Sequence, residues 1–166
     1  MPISAALLPE FDHEMRVTRS LLERVPESRA QFKPHPKSTA LGALASHIAN
    51  LAGWGQKVAT LSELDFNPPG GSPVRIAAYQ GAAELLQRFD ANVAATRAAI
   101  AAASDDALRG TFTLKNGGHE IFSLPRVSAL RSFLMNHLIH HRGQLSVYLR
   151  LNDVPLPSIY GPTADT

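Results

Sequence analysis

Apolar residues along this chain recur at helical intervals in four long segments. The first runs from Ile3 to Val25, where Leu7, Leu8, Phe11, Met15, Thr18, Leu21 and Leu22 follow a 3.6 repeat and Pro26 closes it. The stretch Phe32-Lys33-Pro34-His35-Pro36-Lys37-Ser38 follows, and its two prolines forbid regular helix. Ser38 or Thr39 is the expected cap of the second helix, which reaches Leu61 with Leu41, Leu44, His47, Ile48, Leu51, Trp54 and Val58 on one broad face. Asn67-Pro68-Pro69-Gly70-Gly71-Ser72-Pro73 reads as a loop, and an alanine-rich third helix spans Arg75 to Ala103. Between 111 and 124 the period changes. Thr111 to Leu114 and His119 to Leu124 alternate around Asn116-Gly117-Gly118, which predicts a small β-hairpin. The fourth helix opens at Pro125 and ends near Leu151, and the tail from Asn152 to Thr166 is expected to be an ordered loop with a loose end. Four helices with short connections predict an all-α fold, an antiparallel four-helix bundle with the hairpin before its last helix.

A chain of 166 residues makes one domain, 1–166, and needs neither disulfide nor metal merely to fold. It contains no cysteine, which excludes disulfide frameworks, thiolate zinc sites, cysteine nucleophiles and iron–sulfur ligation. The formal charge is only +2 with no run of Lys and Arg, so nucleic acid is not an expected partner. No apolar stretch approaches the roughly 20 residues of a membrane span, and the N-terminus lacks a signal-peptide pattern. A soluble, cytoplasmic protein is expected. There is no Gly-rich phosphate loop, no G-x-S-x-G and no obvious carboxylate pair.

Seven histidines are the unusual count. On a helical wheel with His137 at zero, Leu130, Leu134, Val127 and Leu145 define an apolar stripe centred at about +60°. His141 falls at about +40° and His137 at the stripe's edge, so both point inward one turn apart. Imidazoles at i and i+4 can share one metal ion. His47, on the same side of its helix as Leu44, Ile48 and Leu51, is the best third ligand. Three imidazoles would leave coordination positions open, the arrangement of catalytic sites. Zinc, nickel, iron and cobalt all accept such donors. From the residues alone a second reading stands beside this one: three core histidines, each with its own hydrogen-bond partner.

The chain resembles the DinB-like (damage-inducible, YfiT-type) four-helix-bundle proteins. The resemblance is carried by Pro34 to Ser38 leading into Leu44-Ala45-Ser46-His47-Ile48-Ala49-Asn50-Leu51 and Trp54. It rests further on Asn136-His137-Leu138-Ile139-His140-His141-Arg142-Gly143-Gln144-Leu145 through Arg150, and on Val154 to Pro162. It implies an up-down-down-up bundle, a homodimer, and a metal site at His47, His137 and His141. The metal implied is a divalent transition metal: zinc or nickel first, then iron, cobalt or manganese. The family contains thiol-dependent transferases and isomerases, so a low-molecular-weight thiol cosubstrate is an expectation too.

Two functions follow. One is a metal-dependent hydrolase or thiol-dependent transferase acting on a small molecule; the other is a non-catalytic metal-stabilised module for dimerisation or small-ligand binding. On the same wheel Gln144, at about −20°, could orient an imidazole or water. His140, at about −60°, sits beside the site or at an interface. Asn50 could hydrogen-bond a ligand ring, and Trp54 lines a pocket or packs the core. Arg142, at about +140°, reads as a structural salt bridge. Nothing places Asp12 or Glu14 near the imidazoles, and His13, His35 and His119 read as surface or loop residues.

Overall fold

The computed structural model describes residues 1–71 and 77–166. Helix α1 (Ile3–Leu22) buries Leu7, Phe11, Met15, Thr18, Leu21 and Leu22 of the expected stripe, with Val17 in addition and Leu8 only half-buried, and stops short of Val25. The second helical segment is broken at Gly53 into α2 (Leu41–Ala52) and α3 (Trp54–Thr60). Neither Ser38 nor Thr39 caps it. The N-cap is Ala40, and the first amides are satisfied by backbone, Leu41 N donating to Phe32 O at 2.9 Å and Gly42 N to Ala30 O at 2.9 Å.

The break at Gly53 is stabilised from the next long helix, α4 (Ala82–Ala102). Asn92 donates to the Ala49 carbonyl at 2.8 Å, Thr96 Oγ1 donates to the Ala52 carbonyl at 2.6 Å, and the same oxygen accepts from Gln56 N at 3.0 Å. Backbone groups released by the kink thus find side-chain partners. The approach is close enough that a Cβ on Gly55 would lie 2.4 Å from Thr96 Cγ2 and 2.6 Å from Leu134 Cδ2. Helix α4 begins at Ala82; the expected start at Arg75, with Ser72 and Pro73 of the expected loop, lies outside the described residues. A further short helix, α5 (Asp105–Arg109), opens on Ser104, whose Oγ accepts from Ala107 N at 3.1 Å.

The expected hairpin forms as β2 (Thr111–Asn116) and β3 (His119–Pro125), with Gly117 and Gly118 at φ 62° and 81° in the tight turn. A third strand, β1 (Glu63–Asp65), pairs in parallel with β2, giving the order β1-β2-β3. The fold is therefore mostly helical with a small three-stranded sheet. Asp65 ties the sheet to its turn, its carboxylate accepting from the amides of Asn67, Gly117 and Gly118 at 2.7–2.9 Å.

The last helical run enters at Pro125 and has three parts: α6 (Arg126–Ala129), a π-helical stretch (Leu130–Asn136) and α7 (His137–Arg150). A π turn holds about one residue more than an α turn, so a 3.6-residue wheel carried through it misplaces everything upstream. Within α7 the buried residues are Leu138, Arg142, Leu145 and Leu149. They centre at about +110° from His137, well past the expected stripe. His141 is thus at the shoulder of the stripe, not in its middle. Helix α7 packs on α1 and α2, and α4 packs on α1, α2 and α3.

Arg142 is 1% exposed. Its Nη1 donates to Glu14 Oε2 at 2.6 Å, and its Nη2 donates to Tyr160 OH at 2.5 Å. The tyrosine hydroxyl in turn donates to the Glu14 carboxylate at 2.8–2.9 Å. This network sews the C-terminal tail across α1 and α7. The tail's end is pinned as well, because Asp165 pairs with Arg150 and accepts from Leu156 N at 2.9 Å.

Arg142→Ala leaves the Glu14 carboxylate buried without its cation and should cost about 3–5 kcal/mol in urea unfolding, whereas Tyr160→Phe should cost only about 1 kcal/mol. Equal effects would refute the buried pair as the centre of the network. Gly55→Ala should lose about 1–3 kcal/mol, because α3 must back away from Thr96 and Leu134; an unchanged urea midpoint would show that the contact yields without cost.

Candidate metal centre

His47 projects from the middle of α2, His137 from the first residue of α7 and His141 from the next turn. One ligand atom from each lies within 4.8 Å of the other two. The ring centroids of His47 stand 4.6 Å from His141 and 5.4 Å from His137. All three side chains are half-buried, at the seam where the α2 and α7 stripes give way to solvent.

A hydrogen bond at His141 selects its tautomer. Gln144 Oε1 can only accept, so at 2.7 Å from His141 Nδ1 it fixes the proton there and leaves Nε2 bare. The Nε2 atoms of His141 and His137 face each other at 2.9 Å. Two lone pairs at that distance repel unless a cation or a proton sits between them. Nitrogens bound to one ion at about 2.0–2.1 Å lie roughly 2.9–3.4 Å apart, so the observed spacing is at the short end of what a shared ion allows.

Electrostatics favours the same state. Burial, then the positive charge that His141 and His137 would carry, pushes the His47 pKa from 6.5 down to about 4. Burial is also the main cause that lowers His137 and His141. Neutral imidazole is the form that ligates metal. The donor set therefore suits a divalent transition metal. Among the described residues no Asp, Glu or Cys joins the group: Asp12 pairs with Arg97 and Glu14 with Arg142.

The two sides of the group differ. On one side Trp54, 8% exposed, meets His47 and His137 edge-on at 6.1 and 6.3 Å. It stacks on Phe133 at 5.2 Å and touches Phe66 at 5.1 Å. On the other side a cleft of about 500 Å³ is lined by Lys37, Ser38, Thr39, Leu44, Tyr148 and Gln144 together with His47 and His141. Trp54 thus walls the site and is not among the cleft's lining residues. Asn50 donates to the Ala77 carbonyl at 3.1 Å. His140 is exposed, its ring 4.9 Å from that of His141.

Sequence reasoning passed over Lys37, Ser38, Thr39 and Tyr148 as site residues. A signal existed for Tyr148: it lies seven positions after His141, two turns along the same face. No helix among the described residues is long and apolar enough to cross a membrane.

The sequence pattern of the DinB superfamily matches residues 10–145. The fold is similar to that of a DinB-like protein from Bacillus cereus ATCC 10987, with TM-score 0.68 and 22% identity, over 96% of this chain and 98% of that one. It is also similar to the DinB-like protein YjoA from Bacillus subtilis, with TM-score 0.70 and 19% identity, over 93% of this chain and 97% of that one. No curated protein matches the chain.

With a folded pKa of about 4 against an ordinary 6.5, His47 binds fewer protons in the folded than in the unfolded metal-free protein across that interval. Its contribution to stability is present above the ordinary value and is lost as pH falls toward the folded one. The urea midpoint of metal-free protein should therefore drop between pH 7 and pH 5, and His47→Gln should shrink that drop. An equal drop in both proteins would refute this assignment.

Proposed function

Because the chain belongs to the DinB superfamily, and because two of its three convergent imidazoles, His47 and His141, line a cleft, we propose that it is a metal-dependent enzyme acting on a small molecule. His47, His137 and His141 are its metal ligands. The observation that carries this reading is the asymmetry of the group: aromatic packing on one side, and on the other a cleft within the usual range of small-molecule sites, roughly 300–1,000 Å³. A divalent ion held by three imidazoles keeps open coordination positions, polarises what it binds and lowers the pKa of a bound water or thiol, so that a nucleophile exists near neutral pH.

The residues supply orientation and surroundings. Gln144 holds the His141 ring in register, and Trp54 and Phe133 exclude water from the core side. The chain has no cysteine, so a thiol nucleophile must enter as a cosubstrate, while water would make the protein a hydrolase. All-imidazole donors suit zinc or nickel, with iron, cobalt and manganese following. In the same reading α1, α2 with α3, α4, and the α6–α7 run are the four members of an up-down-down-up bundle.

Purified protein should carry about one equivalent of transition metal per chain, and His47→Ala and His141→Ala should each lose it while keeping their helical circular dichroism. Gln144→Ala should weaken metal affinity by about 10–100-fold. Full metal content in both histidine variants would end the proposal. Unfolding of the protein on chelation would assign the ion a structural role instead.

A further inference from the structure

We propose that the cleft beside the three histidines selects substrates bearing a carboxylate, which Lys37 binds with help from the hydroxyls of Ser38, Thr39 and Tyr148. This inference rests on the metal-centre reading for where the reacting atoms sit, and it names the substrate class that reading leaves open.

The lining carries the argument. It offers one cation, three hydroxyls, one amide, two imidazoles and one leucine, and no acid. Several cations elsewhere on this surface are paired, Arg19 with Asp90, Arg97 with Asp12, Arg131 with Glu10, Arg150 with Asp165 and Lys115 with Glu63, whereas Lys33 and Lys57, which lie outside the cleft lining, are not among the ion pairs of the described residues. Lys37 forms no ion pair among the described residues, and the three hydroxyls donate to no protein acceptor there. The donors are also held in place. The rings of Pro34 and Pro36 lock the backbone φ at about −65°. Lys37 N donates to His35 Nδ1 at 3.2 Å, Ser38 N donates to the His35 carbonyl at 2.8 Å, and Leu41 N anchors the end of the strip on Phe32 O at 2.9 Å. The stretch from Pro34 to Thr39 thus has a role beyond leading into α2: it brings a cation and two hydroxyls to the cleft that His47 and His141 also line. A single lysine with neutral donors matches one carboxylate. No arginine fork of the kind that grips phosphate bidentately is among the lining residues.

The test uses mercaptosuccinate and its uncharged counterpart 3-mercaptopropane-1,2-diol. Both are titrated calorimetrically into metal-loaded wild type, Lys37→Met and Lys37→Arg. Succinate is titrated in parallel into the metal-free proteins and followed by amide shifts. Lys37 is exposed, so these variants leave the core untouched. Lys37→Met should weaken mercaptosuccinate about fivefold, the upper end for an exposed ion pair, and leave the diol within about twofold; Lys37→Arg should retain most of the affinity. Loss of both thiols to the same extent, or of neither, overturns the proposal. If neither thiol binds any protein, yet succinate still favours wild type over Lys37→Met, the thiol cosubstrate is excluded and the carboxylate site stands. If succinate does not distinguish them either, the carboxylate site falls, whereas the metal reading is decided by the metal content of the histidine variants.

Discussion

Helix α7 has to bury Leu138, Arg142, Leu145 and Leu149 while turning His137 and His141 toward α2, and one rotational setting of the helix meets both demands. Leucines alone would tolerate a roll of a few degrees, because their contacts have no direction. The guanidinium does not. Rolling α7 takes Nη1 away from Glu14 Oε2 at 2.6 Å and leaves two buried charges unpaired. Breaking a buried pair costs about 3–5 kcal/mol, a large share of the roughly 5–15 kcal/mol that holds a domain folded. The charge pair therefore adds directional control over where the adjacent histidine points. Tyr160 closes the network from the tail, so α1, α7 and the C-terminus share the same constraint.

A group of three imidazoles carries no negative charge. In many metal sites the ring nitrogen opposite the ion is held by a carboxylate. At His141 an amide oxygen from Gln144 takes that place. It does not offset the charge of a cation the rings would bind, and Glu14 and Asp12 are committed elsewhere, to Arg142 and to Arg97. Positive potential is then left to the cleft, where Lys37 adds to it. The donor set and the cleft lining point to the same preference for an anionic partner, although they come from different parts of the chain.

How far this was legible in the sequence depends on how local each cause is. His137 and His141 lie within a regular α-helix, so their i, i+4 relation could be read directly, and His47 could be placed from its buried neighbours Leu44, Ile48 and Leu51. The phase of the stripe could not, because Leu130 and Leu134 belong to a π-helical stretch and shift the wheel. The break at Gly53 depends on hydrogen bonds from Asn92 and Thr96 on a distant helix, and strand β1 is three residues without alternation that exists only by pairing with β2. Ser104 before two aspartates was a readable start for α5 that the chain-wide periodicity masked. Lys37 and its hydroxyls sit in an irregular strip, where no period says which way a side chain points.

The π-helical stretch has a second consequence besides the shift of phase. It sets Phe133 so that its ring stacks on Trp54 at 5.2 Å, meets Phe122 at 5.3 Å and lies 6.1 Å from the ring of His137. The same residue thus builds the wall behind the histidines. With Trp54, Phe66 and Phe133 closing the core side, access to the imidazoles is left to the cleft between the start of α2 and the middle of α7. A molecule entering there meets Lys37, Ser38 and Thr39 from the strip before α2, Gln144 and Tyr148 from α7, and His47 and His141. The packing that displaced the hydrophobic stripe is therefore also what makes the site one-sided.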